Sequence, residues 1–305
     1  MSGELPTDPN WPRAGHLFTG DGDGTDISLL GVPAHTTSIS PTNAHTTPAA
    51  VRAALLRYST YASTADVDLR ALSIRDAGDV DQPDSEAGER RTSDAVAQLR
   101  STTALTLLVG GDNSVTFAGM RGLIEASGRD WSDVGLITFD AHHDLRDGVS
   151  NGSPVQRLIE AGLRGSNIVQ IGIADFANSR EYSVRAKDHG ITVISREQLR
   201  EQKPRDVIAA AAKRLGNREI YVDVDIDVCD RAAVPACPAA VPGGISADEL
   251  RQLVRAAAQL PGVRAIDFTE VDATADTADQ RTVRLVALCI LEAMTGFALR
   301  KEIRR

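Results

Sequence analysis

The stretch "LTLLVGGDNSVTFAG", Leu105–Gly119, decides the fold. Its apolar run reads as a strand buried on both faces, the kind found in parallel sheets. Two glycines follow, then Asp112, Asn113 and Ser114, then a helix-like segment. That turn puts three polar residues at the strand's carboxyl end, where open α/β sheets place their chemistry. The neutral amide of Asn113 is the odd member. Its meaning depends on what else the chain brings to the same edge.

Outward from that strand the chain alternates. Strand-like runs occur at "SLLG" (28–31), "RALSIRD" (70–76), "VGLITF" (134–139), "NIVQIG" (167–172), "ITVIS" (191–195), "EIYVDVDI" (219–226) and "VRAIDF" (263–268). Helical patterns lie between them, at "TPAAVRAALLRYS" (47–59), "TSDAVAQLRS" (92–101), "SADELRQLVRAAAQL" (246–260) and "QRTVRLVALCILEAMTGFAL" (280–299). Ser246 and Glu249 are spaced as a capping box. Eight strands joined by crossover helices predict a parallel sheet covered on both faces. No linker or composition shift divides the chain. Residues 27–305 therefore read as a single catalytic domain, and residues 1–26 as a polar, Gly- and Pro-rich N-terminal arm or coil. Within that arm, "DGDGTD" (21–26) lacks the acid a calcium loop needs at its twelfth position, which falls on Val32.

The 305 residues carry 33 basic and 42 acidic side chains, interspersed, for a net charge of −9. No basic stripe marks a nucleic-acid partner. The apolar runs are short, so no membrane span is expected. The opening residues have no apolar core of the kind a secretory signal needs. Cys229, Cys237 and Cys289 show no CxxC spacing and read as reduced thiols of a cytoplasmic protein.

Several strands end in carboxylates. "LITFDAHHDLRDG" offers Asp140, His142 and Asp144; "IYVDVDIDVCD" offers Asp223, Asp225, Asp227 and Asp230; "AIDFTEVDATAD" offers Asp267, Glu270 and Asp272. Residues two apart on a strand share a face, so Asp225 and Asp227 project together, as do Asp140 and His142. Singly, each is an ordinary loop-start acid. Together, four converging carboxylates stay ionised only with cations among them. An oxygen-rich set with one imidazole suits a hard divalent ion such as Mn²⁺. Four Asp balance two such ions, and a water between them is acidified toward hydroxide near neutral pH. The chemistry indicated is metal-assisted hydrolysis.

The sequence resembles the arginase/ureohydrolase superfamily, over about residues 27–300. Four ordered motifs carry the resemblance. "GGDNS" stands for Gly-Gly-Asp-His-Ser, "DAHHD" for Asp-Ala-His-x-Asp and "DVDID" for Ser-x-Asp-x-Asp, and "EVD" follows the eighth strand. The resemblance implies a three-layer α/β/α sandwich on an eight-stranded, mostly parallel sheet. It implies a homo-oligomer, trimer or hexamer, and two Mn²⁺ per subunit. By the same resemblance Asp140 and Asp225 bridge the ions, His142 and Asp227 complete one, and Asp144 and Asn113 complete the other. Glu270 matches the acid that binds the substrate's guanidinium or amidinium. Asp144 is the expected proton relay. His143 fills a variable position and reads as a packing residue held by a hydrogen bond.

Two departures shape the expectation. The family has His where this chain has Asn113, and an amide oxygen is a weaker donor than imidazole, so the ion near Asn113 is expected to be labile. A bland alternative is that Asn113 only caps the following helix. In arginases and agmatinases a proton-shuttling His follows the second motif; here Asn151 aligns with it. That absence argues against arginase proper. "NGSPV" (151–155), "IGIADFANSREYSVRAKDHGI" (171–191) and "PACPAAVPGG" (235–244) resemble formimidoylglutamase segments more closely. Arg180, beside Asn178 and Ser179, is the expected grip on substrate carboxylates, with Arg146 as runner-up and Asn151 also at the substrate. His45 and His189 read as surface or capping residues.

The resulting expectation is a Mn²⁺-dependent amidine hydrolase acting on a small molecule. The favoured reaction takes N-formimidoyl-L-glutamate and water to L-glutamate and formamide, in histidine breakdown. Two other readings stay open. One is an agmatinase or guanidino-acid hydrolase that releases urea. The other is a catalytically silent, metal-poor binding or regulatory homologue, which Asn113 and Asn151 keep in play.

Overall fold

The computed structural model describes residues 8–20 and 24–302. Among the described residues, ten strands and nine α-helices follow in chain order. The strands are β1 (Thr25–Val32), β2 (Tyr61–Ala62), β3 (Val67–Asp68), β4 (Ile74–Asp79), β5 (Thr103–Gly110), β6 (Val134–Phe139), β7 (Ile168–Ile173), β8 (Thr192–Ser195), β9 (Glu219–Val224) and β10 (Val263–Phe268). The helices are α1 (Thr47–Leu55), α2 (Glu86–Thr102), α3 (Val115–Ser127), α4 (Pro154–Glu160), α5 (Arg180–Asp188), α6 (Arg196–Arg200), α7 (Pro204–Leu215), α8 (Ala247–Gln259) and α9 (Arg281–Glu302).

All eight expected strands join one sheet, in the order β4-β1-β5-β10-β9-β6-β7-β8. Every pairing within it is parallel. Of the central strands, β6 and β9 are buried at every residue, and β5 and β10 at all but Ala104 and Arg264, because helices cover both faces. One apolar layer joins the sheet to α1, α7, α8 and α9. The other joins it to α2, α3 and α4, with Ala186 of α5. The expected three-layer sandwich is therefore present. The capping box of α8 is formed, with Ser246 Oγ accepting from Glu249 N–H at 3.1 Å.

The sheet order matters for function. β5, β10, β9 and β6 are consecutive neighbours. These are the strands that end in the four motifs, so chain crossovers bring segments more than 150 residues apart onto one edge. The second glycine of "GGDNS" makes this possible. A Cβ on Gly111 would lie 1.8 Å from the carbonyl oxygen of Ala34, so only glycine lets the end of β5 run so close to the segment after β1. Gly111 then accepts from the Glu270 N–H at 2.9 Å, fastening the end of β10 beside it.

Two features depart from expectation. The stretch read as an N-terminal arm or coil is, over residues 8–20, docked on the body. Ala14 N–H donates to Tyr58 O at 2.9 Å, Gly20 N–H donates to Ile74 O at 2.8 Å, and Ala14 is fully buried. Residues 1–7, and residues 21–23 of the "DGDGTD" segment, lie outside the described residues. Second, α9 contains a window, Arg281–Arg300, long and apolar enough to cross a membrane. It is 78% buried inside the protein, against α1 and α8.

Candidate metal centre

The carboxyl ends of the four central strands deliver their acids to one place. Asp140 follows β6 directly and is 1% exposed. Its Oδ1 accepts from the His142 N–H at 2.6 Å, while its Oδ2 is buried without a hydrogen bond. Asp227 Oδ1 accepts from the Ala141 N–H at 2.9 Å. Its Oδ2 lies 2.7 Å from His142 Nδ1. Asp225 Oδ1 accepts from the Asp227 N–H at 2.9 Å, so the turn after β9 folds back on its own side chain.

The electrostatics follow from this crowding. Burial and the neighbouring Asp227 push Asp140 up to about 6. Burial and like charges also raise Asp144 and Asp225. Burial opposes the His142 imidazolium, but the facing Asp227 and Asp140 outweigh it and carry the ring up to about 12. Asp227 moves the other way, because its contact with His142 outweighs burial. Donor atoms of Asp140, His142 and Asp227 all lie within 4.8 Å of one another. With buried oxygens left unpartnered, this donor set fits a hard divalent cation.

Asp144 and Glu270 complete the arrangement from strained backbone, with φ of +54° and +65°. Non-glycine residues in that region are uncommon and cluster at functional sites. Glu270 Oε1 accepts two bonds, from the Asn113 N–H at 2.8 Å and from Asn151 Nδ2 at 3.0 Å. Burial lifts its carboxyl to about 7. Asn151 Oδ1 in turn accepts from the Ile39 N–H at 3.0 Å, tying two loops to Glu270.

Asn113 is 1% exposed and its amide has a definite facing. Nδ2 donates to Asp144 Oδ2 at 2.6 Å. Oδ1 meets the hydroxyls of Thr269 at 2.8 Å and Thr116 at 3.1 Å. It does not cap α3 through a backbone N–H.

A cleft of about 570 Å³ opens over these groups. His142, Asp144, Asp225, Asp227 and Glu270 line it, as do Asn151 and Arg146. Arg180 does not. It is the first residue of α5, exposed and outside the cleft lining, whereas its neighbours Asn178 and Ser179 are in it. Of the two arginines, Arg146 is the one at the cleft. His45 and His189 are also outside the cleft lining. His143 is packed beneath, with Nδ1 2.7 Å from Gln170 Oε1.

Two parts of the site were given no role from the sequence. Asn178 clamps the "DAHHD" turn, donating to Ala141 O and accepting from the His143 N–H, both at 2.9 Å. Its position in "ANSRE" was the available signal. Below the metal centre, Asp223 and Asp267 form a buried acidic layer. Burial and the charge of Asp267 raise Asp223 well above its usual range, while Asp267 accepts from Tyr221 and Thr116 at 2.8 and 2.9 Å. Nothing in the local pattern separates such acids from ordinary strand-end acids.

Known proteins share this design. The formimidoylglutamase of Halalkalibacterium halodurans is 34% identical over 297 residues, 93% of this chain and 92% of that one. The crystal structure of the Bacillus subtilis formimidoylglutamase superposes with a TM-score of 0.88 at 30% identity, covering 98% of this chain and 96% of that one. A Trypanosoma cruzi formiminoglutamase solved with Mn²⁺ has the same fold, with a TM-score of 0.88 at 24% identity over 95% of this chain and 99% of that one. A family model described as the arginase family matches residues 25–296, from the first strand into the last helix and through all four acid-bearing strand ends. The chain belongs to the arginase family.

Proposed function

We propose that this protein hydrolyses the formimidoyl C–N bond of N-formimidoyl-L-glutamate, giving L-glutamate and formamide, in histidine degradation. The observation that carries the reaction class is the cluster of Asp140, His142 and Asp227, with Asp140 Oδ2 buried and unpartnered, at a cleft lined by His142, Asp227 and Glu270. The substrate is supported by the relatives that are 33–34% identical over about nine tenths of both chains, which are named formimidoylglutamases. Asp140, His142, Asp144, Asp225 and Asp227 would hold two Mn²⁺, with Asn113 as a sixth, weaker ligand. When bound, such ions supply a Lewis acid that makes water a nucleophile near neutral pH.

The chain's own residues do the rest. Glu270 Oε1 is engaged by Asn113 and Asn151, which leaves Oε2 to accept from the substrate's amidinium. That contact orients the formimidoyl carbon over the acidic cluster. Asp144 passes a proton to the departing amino group of glutamate. Arg146, at the cleft wall, holds the carboxylate end as a fork. The amide facing of Asn113 supports a labile second ion, since its oxygen is turned to Thr116 and Thr269 and its nitrogen to Asp144. We further place the enzyme in the cytoplasm as a homo-oligomer, a trimer or hexamer; its three buried free thiols suit a reducing compartment.

The test is a panel of N-formimidoyl-L-glutamate, agmatine, arginine and guanidinobutyrate with added Mn²⁺. Turnover of the first alone is expected. Turnover of a guanidine with release of urea, and none of the formimidoyl compound, would overturn the assignment.

A further inference from the structure

Arg196, the first residue of α6, is only 7% exposed. Its Nε donates to Gly172 O at 3.1 Å and its Nη2 to Asp227 O at 2.8 Å. Both partners are main-chain carbonyls. Among the described residues no carboxylate forms an ion pair with this guanidinium, and Nη1 makes no hydrogen bond to the protein and is not among its buried unpartnered atoms, so it is reached from outside. The acids whose charge reaches it most strongly, Asp227 and Asp140, are already committed to the metal centre. A buried cation without a counter-ion is costly, and guanidinium is the side chain best shaped to take an oxyanion.

The space beside it suits such a ligand. Arg196 lines a chamber of about 340 Å³, with Arg200 also in its wall. Phe176 and Val241 line both this chamber and the 570 Å³ cleft, so they form the partition between the two. Phe176 is fully exposed and sits at a φ of +63°, a conformation an aromatic residue rarely adopts. The chamber's two acids, Asp175 and Glu197, are exposed and screened by solvent.

We propose that this side chamber binds a small anion, a carboxylate or an inorganic oxyanion, at Nη1 of Arg196 with Arg200 as its second cation. The site is separate from the substrate assignment and stands whichever amidine or guanidine the cleft accepts. Occupancy would neutralise the guanidinium that holds the Asp227 carbonyl, and so would stabilise the turn that carries Asp227.

The experiment uses the Mn²⁺-loaded protein in a constant sodium chloride background. Sodium acetate and sodium phosphate are titrated separately, and the melting temperature and binding heat are followed. A saturable rise in melting temperature with either anion is expected, acetate identifying a carboxylate site and phosphate an oxyanion site. The rise should fall at least tenfold in apparent affinity in Arg200→Ala and in Arg196→Gln, and persist in Arg146→Ala, which alters only the main cleft. Arg200 is exposed, so its variant tests the site even if Arg196→Gln does not fold. No saturable shift with either anion, an unchanged shift in Arg200→Ala, or a shift lost only in Arg146→Ala would overturn the proposal.

Discussion

Replacing Asn113 by histidine should convert a weakly held second ion into a tightly held one. For the amide oxygen to face an ion beside Asp144, the amide must turn over. The two threonine hydroxyls can serve the turned amide, since each can accept from an NH₂, and Thr116 keeps its own proton on Asp267. What the turn gives up is the 2.6 Å bond from Nδ2 to Asp144, a charge-assisted contact inside a buried site. Such a bond contributes about 1.5–3 kcal/mol. That corresponds to a weakening of metal affinity of roughly 10- to 100-fold. An imidazole has no such bond to surrender and is the better donor. Asn113→His should therefore bind its second Mn²⁺ tighter by that factor, leaving the first unchanged. Isothermal titration with Mn²⁺ and metal content after dialysis both read the difference. Two equally tight ions in the unmodified protein, or no gain in the variant, would overturn the assignment of a labile second ion.

Other outcomes follow from the same geometry. Glu270→Gln removes the charge that faces the substrate's cation, and kcat/KM should fall by about 100-fold, while the melting temperature at pH 5, where the folded-state carboxyl is neutral, stays close to that of the unmodified protein; steady-state kinetics and a thermal melt check it. Arg146→Ala should raise KM about tenfold while Arg180→Ala leaves it near the unmodified value, because only the former lines the cleft. Stripping metal should make stability fall as pH rises. Asp140 is pushed up to about 6 and Glu270 to about 7 in the folded chain, so between their unfolded values near 4 and those values the unfolded state ionises first. One such group costs roughly 3 kcal/mol above pH 7. Melts of EDTA-treated protein from pH 5 to 8 should show the decline, and added Mn²⁺ should reverse it. Gly111→Ala should give little soluble protein, since the new Cβ meets the Ala34 backbone at 1.8 Å.

The eight strands were legible because each is a short apolar run closed by a turn or a carboxylate, a local signal that survives without tertiary context. The acids were legible for the same reason, as were their shared faces, because side chains two apart on a strand must project together. The hairpin of β2 and β3 was not, since two-residue strands such as Tyr61–Ala62 carry no periodicity. Nor was the docking of residues 8–20, which depends on main-chain bonds to Tyr58 and Ile74 that leave no mark on side-chain pattern. Arg180 looked like a ligand grip from its place beside Asn178 and Ser179. The first turn of α5 leaves it exposed and out of the cleft, while Arg146, on the loop after "DAHHD", reaches the wall. Arg196 gave no sequence signal at all, because its role arises from carbonyls contributed by β7 and the turn after β9.

The reaction assigned to the acidic cluster is hydrolysis of an amidine C–N bond. Its most direct test is ¹³C NMR of N-formimidoyl-L-glutamate labelled at the formimidoyl carbon, incubated with the Mn²⁺-supplemented protein. The label should move to formamide, with matching L-glutamate, and Asp140→Asn and Asp227→Asn should each abolish the conversion. An unchanged label with Mn²⁺ bound, or conversion that survives both substitutions, would contradict that assignment.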